Sequence, residues 1–247
     1  FEVQDNFSTP GTGVKRLIPD YLKTSLGGYF IFTLNLNKKL NFGFGIRYEY
    51  ASNDVYKYYN NSRWENENYQ DRLGKYVIKE VLSQKLIRKK VVFNTFSSNA
   101  GFIKEFEKKY SLGIQYNYTE RAPNIAEMFS GGLHHSLASI EYGNPFLKKE
   151  RTHKILLDFE KKNGKLNYRI NPYLSHSKDY ILAIPVGFEQ TIRGAFPVWE
   201  YSPINSIFKG ADFDFVYHIE DNIKYKNSIS WIEAKDYQTN KPLINIP

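Results

Sequence analysis

The sequence contains no cysteine and a single methionine, and no stretch of 18 consecutive apolar residues occurs in it. Without cysteine the chain has neither disulfides nor thiolate metal sites, which suits an exported protein. Without a long apolar run it has no transmembrane helix. A membrane β-barrel is still possible, because barrel strands alternate between two faces and give a weak hydropathy signal.

The residues that are abundant favour strands. The chain has 20 Tyr and 18 Phe in 247 residues, which is typical of a sheet protein rather than a helical bundle. Its net charge is +8, but Lys and Arg are spread over turns and strand faces instead of forming a stripe. We therefore expect no nucleic-acid partner. No flexible linker divides the sequence, so residues 1–247 are interpreted as one domain.

Alternation with a period of two residues predicts the strands. In Tyr110–Thr119 the even positions are apolar or aromatic, whereas the odd positions are polar or glycine. The same pattern predicts four hairpins, with tight turns at Lys38, Lys108, Asn163 and Asp221-Asn222. About nine strands are expected, the first at Phe1–Asn6 and others at Tyr29–Leu36 and Val91–Phe106.

Three long segments separate these hairpins, at residues 51–86, 119–150 and 177–202, and we interpret them as loops at the opposite rim. Short turns on one side and long loops on the other are typical of a transmembrane β-barrel, with a soluble β-sandwich as the alternative that pattern alone leaves open. Aromatic residues near strand ends fit the girdles at membrane interfaces: Tyr48, Tyr50, Tyr116, Tyr118 and Trp231. In this interpretation Ile114 faces lipid and Gln115 faces the lumen.

One long segment carries a specific motif. It contains Arg121, Ala122, Pro123, Asn124, Glu127, Met128 and Phe129, followed by Gly143, Asn144, Pro145, Leu147, Lys148 and Glu150. By residue identity this segment resembles the hallmark segment of outer-membrane TonB-dependent receptors. Residues 10–20, 46–50 and 191–198 are similar to other family segments.

The resemblance implies an all-β fold, namely an antiparallel transmembrane β-barrel in the bacterial outer membrane. It also implies TonB as a partner through a plug domain, contact with outer-membrane lipid, and a cargo such as a metal, an iron-siderophore or haem, with no intrinsic cofactor. We expect residues 1–247 to contain neither a plug domain nor the closing C-terminal strands. The chain is therefore expected to be a partial barrel domain.

Candidate binding residues lie in two of the long segments. His134 and His135 could contribute imidazole ligands to a metal or haem, with Glu127 or Glu141 adding oxygen, and should then point into the vestibule. The alternative is that both histidines are exposed or serve the structural motif. A second set could hold an anionic aromatic siderophore, or could instead pack an external loop on itself: Arg193, Phe196 and Trp199.

No catalytic residues are expected. The adjacent Glu120 and Arg121 have no nucleophile or second carboxylate beside them, and loop-anchoring salt bridges suit them better. His153, His176 and His218 are weaker candidates, and the last two should lie too far apart to meet. We predict a segment of a TonB-dependent uptake receptor rather than an enzyme. The alternatives are a surface binding or adhesion β-protein, a non-transporting receptor fragment and, less favoured, an outer-membrane enzyme.

Overall fold

The computed structural model describes residues 2–5, 17–81, 83–107 and 109–244, and in these ranges the chain forms a 12-stranded sheet with a few short helices. The helices are α1 (Asn61–Asn66), α2 (Tyr69–Leu73), a 3₁₀ turn (Gly74–Tyr76) and α3 (Ile125–Phe129). The strands are β1 (Glu2–Asp5), β2 (Asp20–Asn37), β3 (Leu40–Asn60), β4 (Val77–Val81), β5 (Gln84–Phe106), β6 (Tyr110–Arg121), β7 (Gly131–His134), β8 (Ser139–Tyr142), β9 (Glu150–Lys161), β10 (Leu166–Thr191), β11 (Gly194–Glu220) and β12 (Ile223–Asp236).

The sheet has the order β1-β2-β3-β5-β6-β9-β10-β11-β8-β7, with β12 also on β11 and β4 also on β5. All strand pairs are antiparallel except β8 with β11. The hairpins predicted at Lys38, Asn163 and Asp221-Asn222 are confirmed, and neighbouring turns hydrogen-bond to one another, as in Lys162 N to Lys109 O at 2.6 Å. Lys108 and most of the family-like segment at 10–20 lie outside the described residues.

Two of the predicted loops are wrong, because the strands continue through them. β3 runs on to Asn60 and β5 starts at Gln84, so only α1, α2, the 3₁₀ turn and β4 lie between. β10 and β11 stay paired as far as Thr191 and Gly194, which leaves a two-residue tip in the segment 177–202. The short strands β4, β7 and β8 raise the number of strands in the described residues from the expected nine to 12.

The sheet has an inner and an outer face, and we define the inner face as the one on which the helices pack. On β3 the inner positions are the odd ones, and up to Glu49 they are polar or glycine whereas the outer ones are apolar. From Ala51 onward the polarity reverses in part, since Val55 and Tyr59 are buried inside, alternating with buried Asn53 and Lys57, and Asp54 pairs outside with Arg88. This polarity reversal made residues 51–60 look like a polar loop.

A hydrophobic core fills the inner face at the end opposite the short turns. Three rings meet edge to face, with Tyr59, Trp64 and Tyr69 at centroid distances of 5.1–5.9 Å. Leu73, Ile87, Ile125, Met128, Phe129, Leu147 and Ile181 complete the buried cluster. We call this cluster, with α1 to α3, the crown. Burial of this apolar surface holds the helices against the inner face at the rim where the long loops were predicted.

The outer face is apolar and exposed over the middle of the strands. Phe102, Ile114 and Leu157 are in register on adjacent strands and remain 50%, 50% and 39% exposed. A lower belt of ring contacts follows the short turns through Tyr110, Phe159, Tyr168, Phe213, Phe215 and Tyr225. An upper belt joins Phe96, Tyr116, Tyr118 and His153.

Tyr110 and Tyr118 mark the two belts on one strand, and eight residues of strand correspond to about 26 Å. At the strand tilt of outer-membrane barrels, about 35–45°, this length corresponds to about 18–21 Å along the membrane normal, close to the height of their apolar band, about 25 Å. Trp231, expected at a strand end, is in register with Ala211 and lies on the outer face between the belts. Within the described ranges no helix is long and apolar enough to cross a membrane.

Candidate functional site: the motif loop and the vestibule

Arg121 and Glu150 close the base of the motif loop. They face each other across β6 and β9, with Arg121 Nε 2.6 Å from Glu150 Oε2 and Nη2 2.8 Å from Oε1. Arg121 Nη1 also donates to Glu127 at 3.0 Å, and Ile181 N donates to Glu150 at 2.6 Å. Hydrogen bonds to the Glu150 carboxylate raise the pKa of Arg121 above its usual range. The Arg121 guanidinium therefore stays charged at physiological pH.

The motif continues as a capped helix. Asn124 accepts a hydrogen bond from Glu127 N, and the Glu127 carboxylate accepts one from Asn124 N, each at 2.8 Å. The chain then returns so that Gly143 N donates to Ser130 O at 2.9 Å. A Cβ at Gly143 would lie 2.5 Å from the backbone carbonyl carbon of Met128, so only glycine permits this approach. The segment predicted as irregular is thus an ordered structure.

Phe146 anchors the end of the motif to the crown. Its ring lies between the Arg72 guanidinium, 3.1 Å from the centroid, and Lys89 Nζ, at 5.5 Å. Lys89 also donates to Pro145 O at 3.2 Å. Burial, and then the charges of Arg72 and Lys75, lower the pKa of Lys89. These cation–π contacts tie residues that the sequence separates widely.

The β7–β8 hairpin spans the mouth between two distant parts of the sheet. β8 pairs in parallel with β11 over Val198–Glu200, and at the other end Gly131 N donates to Leu17 O at 2.9 Å, just before β2. The motif loop and the upper part of the β10–β11 hairpin therefore share one rim, as predicted.

Of the predicted binding residues, His134 and Trp199 both lie next to Glu141. His134 Nδ1 lies 3.1 Å from Glu141 Oε1 without forming a hydrogen bond, and Trp199 is in register with Glu141. Tyr201 donates to the other oxygen of Glu141 at 3.4 Å, and burial followed by the Glu141 charge raises the pKa of Tyr201 to about 12. His135 is exposed in the hairpin turn.

The other predicted residues lie elsewhere. Arg193 is exposed at the tip of the β10–β11 hairpin, and Phe196 is in register with Glu189 near that tip. Glu127, a predicted oxygen ligand, is engaged by Arg121 and Asn124. Over the ranges the structure describes, no three His, Cys, Asp or Glu side chains are grouped to hold a metal ion.

The sequence analysis did not identify several residues that surround a cavity at the mouth. Arg63 of α1 places its guanidinium 3.7 Å from the Tyr142 ring centroid and 3.3 Å from Glu200. Tyr142 donates to Glu189 at 2.7 Å, and burial followed by this hydrogen bond raises the pKa of Tyr142 to about 12. The sequence signal that could have pointed to these residues is Trp64 beside Arg63, a large apolar residue in an otherwise Asn-rich stretch. In the structure Trp64 is buried.

These groups surround a cavity of about 280 Å³ at the mouth. It is lined by polar and charged side chains, among them Lys57, Arg63, Glu67, Tyr142 and Glu189. We call this cavity the vestibule. The size and mixed charge of the vestibule suit part of a polar ligand, such as a carboxylate or a phenolate, rather than an apolar ligand.

Glu120 and Arg121 do not form a catalytic pair, since their side chains leave opposite faces of β6. Glu120 points outward, where it accepts hydrogen bonds from Lys149 at 2.5 Å and Tyr118 at 2.7 Å. His153 and His176, treated separately in the sequence, are cross-strand partners. His218 lies near the short-turn rim, with Nε2 3.4 Å from Asn167.

These features define a class of protein: a segment of an outer-membrane β-barrel, with short turns at one rim and folded loops in the mouth. A family profile described as "TonB dependent receptor-like, beta-barrel" matches residues 2–247. The chain therefore belongs to the TonB-dependent receptors of the bacterial outer membrane. A comparison with curated protein sequences found no match.

Solved structures show the same fold. The copper transporter OprC superposes with a TM-score of 0.70 at 16% identity, covering 92% of this chain and 31% of that one. The haemophore receptor HasR of Serratia marcescens, solved with its haemophore HasA and haem, gives 0.61 at 15% identity over 89% and 36%. The alcaligin receptor FauA of Bordetella pertussis gives 0.53 at 14% over 91% and 32%. The chain thus spans about a third of the length of these structures.

Proposed function

We propose that the protein containing this chain takes up a metal-containing nutrient across the outer membrane, with energy relayed by TonB through a plug domain. The observation that carries the proposal is the ordered vestibule, where Arg63, Tyr142 and Glu189 meet. His134 and Glu141 lie together on the other face of the same hairpin. An arginine stacked on an aromatic ring offers charge and π-surface together. The similar structures named above include a copper transporter and receptors for a haemophore and a siderophore.

Within this proposal His134 and His135 contact the cargo as it enters. His134 is half-buried beside Glu141 in the β7–β8 hairpin, whereas His135 is exposed in the turn of that hairpin. A cargo with a free metal coordination site would take imidazole nitrogen from both and oxygen from Glu141. A second, wider surface for contact with the cargo contains Arg193, Phe196 and Trp199. Arg193 and Phe196 lie near the tip of the β10–β11 hairpin.

The test is growth of a deletion strain on single sources of copper, haem or iron-siderophore, complemented by the full-length gene. We expect the double variant His134→Ala/His135→Ala to reduce uptake of one cargo, and the control His218→Ala to leave uptake unchanged. Unaltered uptake of every cargo in the double variant would contradict the metal-contacting role.

A surface-binding or adhesion protein is the alternative in another class. Such a protein would bind its ligand on whole cells and would not accumulate it. Accumulation of the ligand that requires a functional TonB supports transport, whereas binding without accumulation in cells that have a functional TonB supports adhesion.

A further inference from the structure

Four side chains that the vestibule does not use converge on the outer face. Arg151, His153, His176 and Lys178 line a shallow depression with Tyr116 and Tyr118. The four side chains come from β9 and β10, and the two tyrosines come from β6. Each of these strands is paired on both sides, so this face is not an open sheet edge. The depression therefore faces the membrane side of the barrel wall.

The register orders these residues by height above the apolar band. Tyr116, Ile155 and Leu174 are level and exposed at 43%, 49% and 46%. The next row outward is Tyr118, His153 and His176, and the one after that is Glu120, Arg151 and Lys178. Aliphatic, aromatic and charged groups thus succeed one another as they do across a membrane interface.

Among the described residues, charge pairing leaves Lys178 as the unpaired cation of the uppermost row. Glu120 is neutralised by Lys149 at 2.5 Å, and Asp179 lies 3.2 Å from Arg151 Nη2. Arg151 Nε is buried without a hydrogen-bond partner, and Lys178 is exposed with no carboxylate partner in the described part of the chain.

The two imidazoles complete the set of polar groups. Tyr116 OH lies 2.7 Å from His153 Nδ1, which leaves His153 Nε2 available, and His176 packs edge to face on Tyr237 at 5.3 Å. None of the described residues that line the depression is acidic. It therefore presents several donors to one anion, beside a surface that would accept acyl chains.

We propose that this depression binds the phosphate of a phosphorylated lipid headgroup in the outer leaflet. The long-loop rim is the external one in an outer-membrane barrel. Arg151 and Lys178 contact the phosphate, His153 and His176 bind it from below, and the row Tyr116, Ile155 and Leu174 packs against the first methylenes of the acyl chains. The proposal rests on the membrane location and not on the cargo.

The experiment uses the full-length protein in neutral detergent, and native mass spectrometry measures its affinity for lipid A carrying both phosphates. We expect Lys178→Gln to weaken binding about five-fold, the effect of one basic residue near an anionic lipid surface. The matched control is Lys154→Gln, whose side chain leaves the neighbouring strand β9 toward the inner face. Equal affinities for wild type and Lys178→Gln, or equal losses in both variants, would overturn the proposal.

Two further arms identify the source of the phosphate. Dephosphorylated lipid A should bind much more weakly than the phosphorylated form, and inorganic phosphate at the same concentration should not displace the lipid. Equal binding of the two lipids, or full displacement by inorganic phosphate, would rule out a lipid-phosphate site. Since Arg151→Gln also breaks the pair with Asp179, Lys178→Gln is the decisive variant and Arg151→Gln supports it only if folding is retained.

Discussion

Arg121 and Glu150 are 29 residues apart in sequence and joined by two parallel hydrogen bonds of 2.6 and 2.8 Å. The pair occupies the point at which β6 and β9 stop running side by side and the motif loop leaves the sheet. Glu150 is 6% exposed, so its charge is compensated by Arg121 and by Ile181 N rather than by water. This single pair fixes where the ordered loop begins and ends.

The first prediction concerns this ion pair. Arg121→Ala should destabilise the folded barrel by on the order of 3 kcal/mol, because it leaves a buried carboxylate without its partner. Arg121→Lys keeps the charge but not the bidentate geometry, so we expect an intermediate loss. Unfolding in lipid vesicles measures both. A change below that of an exposed control such as Lys226→Ala would contradict the role assigned to the pair.

The second prediction concerns Gly143. Gly143→Ala forces a methyl group against the backbone of Met128 and Phe129, and we expect a cost of about 1–3 kcal/mol and faster amide exchange in residues 125–143. Gly28→Ala is the matched control, since nothing lies within 4 Å of its Cβ position on the outer face. Similar exchange in the two variants would show that the loop tolerates the methyl group.

The third prediction concerns the membrane-facing surface. Ile114 is half-exposed on the outer face, and its neighbour Gln115 donates to Asn117 at 3.1 Å on the inner face. Ile114→Arg should cost about 2–4 kcal/mol in bilayers, whereas Gln115→Arg should cost little because the inner face is polar. Comparable losses, or a larger one for Gln115→Arg, would mean that the outer face packs against protein.

The fourth prediction concerns pH. The pKa of Tyr142 is raised from 10.0 to about 12, so its neutral phenol stabilises the hairpin fully below about pH 10 and progressively less as pH rises to 12. Tyr142→Phe should reduce the loss of hairpin stability between pH 10 and pH 12. Tyr201, whose pKa is also raised to about 12, contributes to the same loss. Amide exchange of residues 131–142 from pH 9 to 12 provides the measurement. An identical pH profile in the variant would exclude Tyr142 as a contributor.

The hairpins could be predicted because period-two alternation and the Asn163-Gly164 turn are local signals. The pairing of His153 with His176 was also within reach. Lys161 is opposite Tyr168, and counting equal steps outward along both strands from that turn leads to these two histidines. The motif resemblance likewise led to the family, since its residues are contiguous in sequence.

The crown and the vestibule could not be predicted in the same way. Phe146 meets Arg72, Tyr142 meets Glu189, and β8 pairs with β11, and each contact joins segments whose relative position depends on the whole sheet. The strand extension to Asn60 was missed for a different reason. Its outward residues are polar, because that part of the wall meets water outside and the crown inside.

The polarity reversal on β3 has a consequence for register. A slip of β3 by one residue would turn Phe42 and Phe44 toward the inner face and expose Val55 on the outer face. Side chains in both halves of the strand would then face the wrong environment. A slip by two residues keeps every face correct but shifts the reversal point by about 7 Å relative to the neighbouring strands. It would then put Asp54 or Tyr50 at the wrong depth. The strand thus encodes its vertical position in the membrane as well as its orientation, and a single register satisfies both.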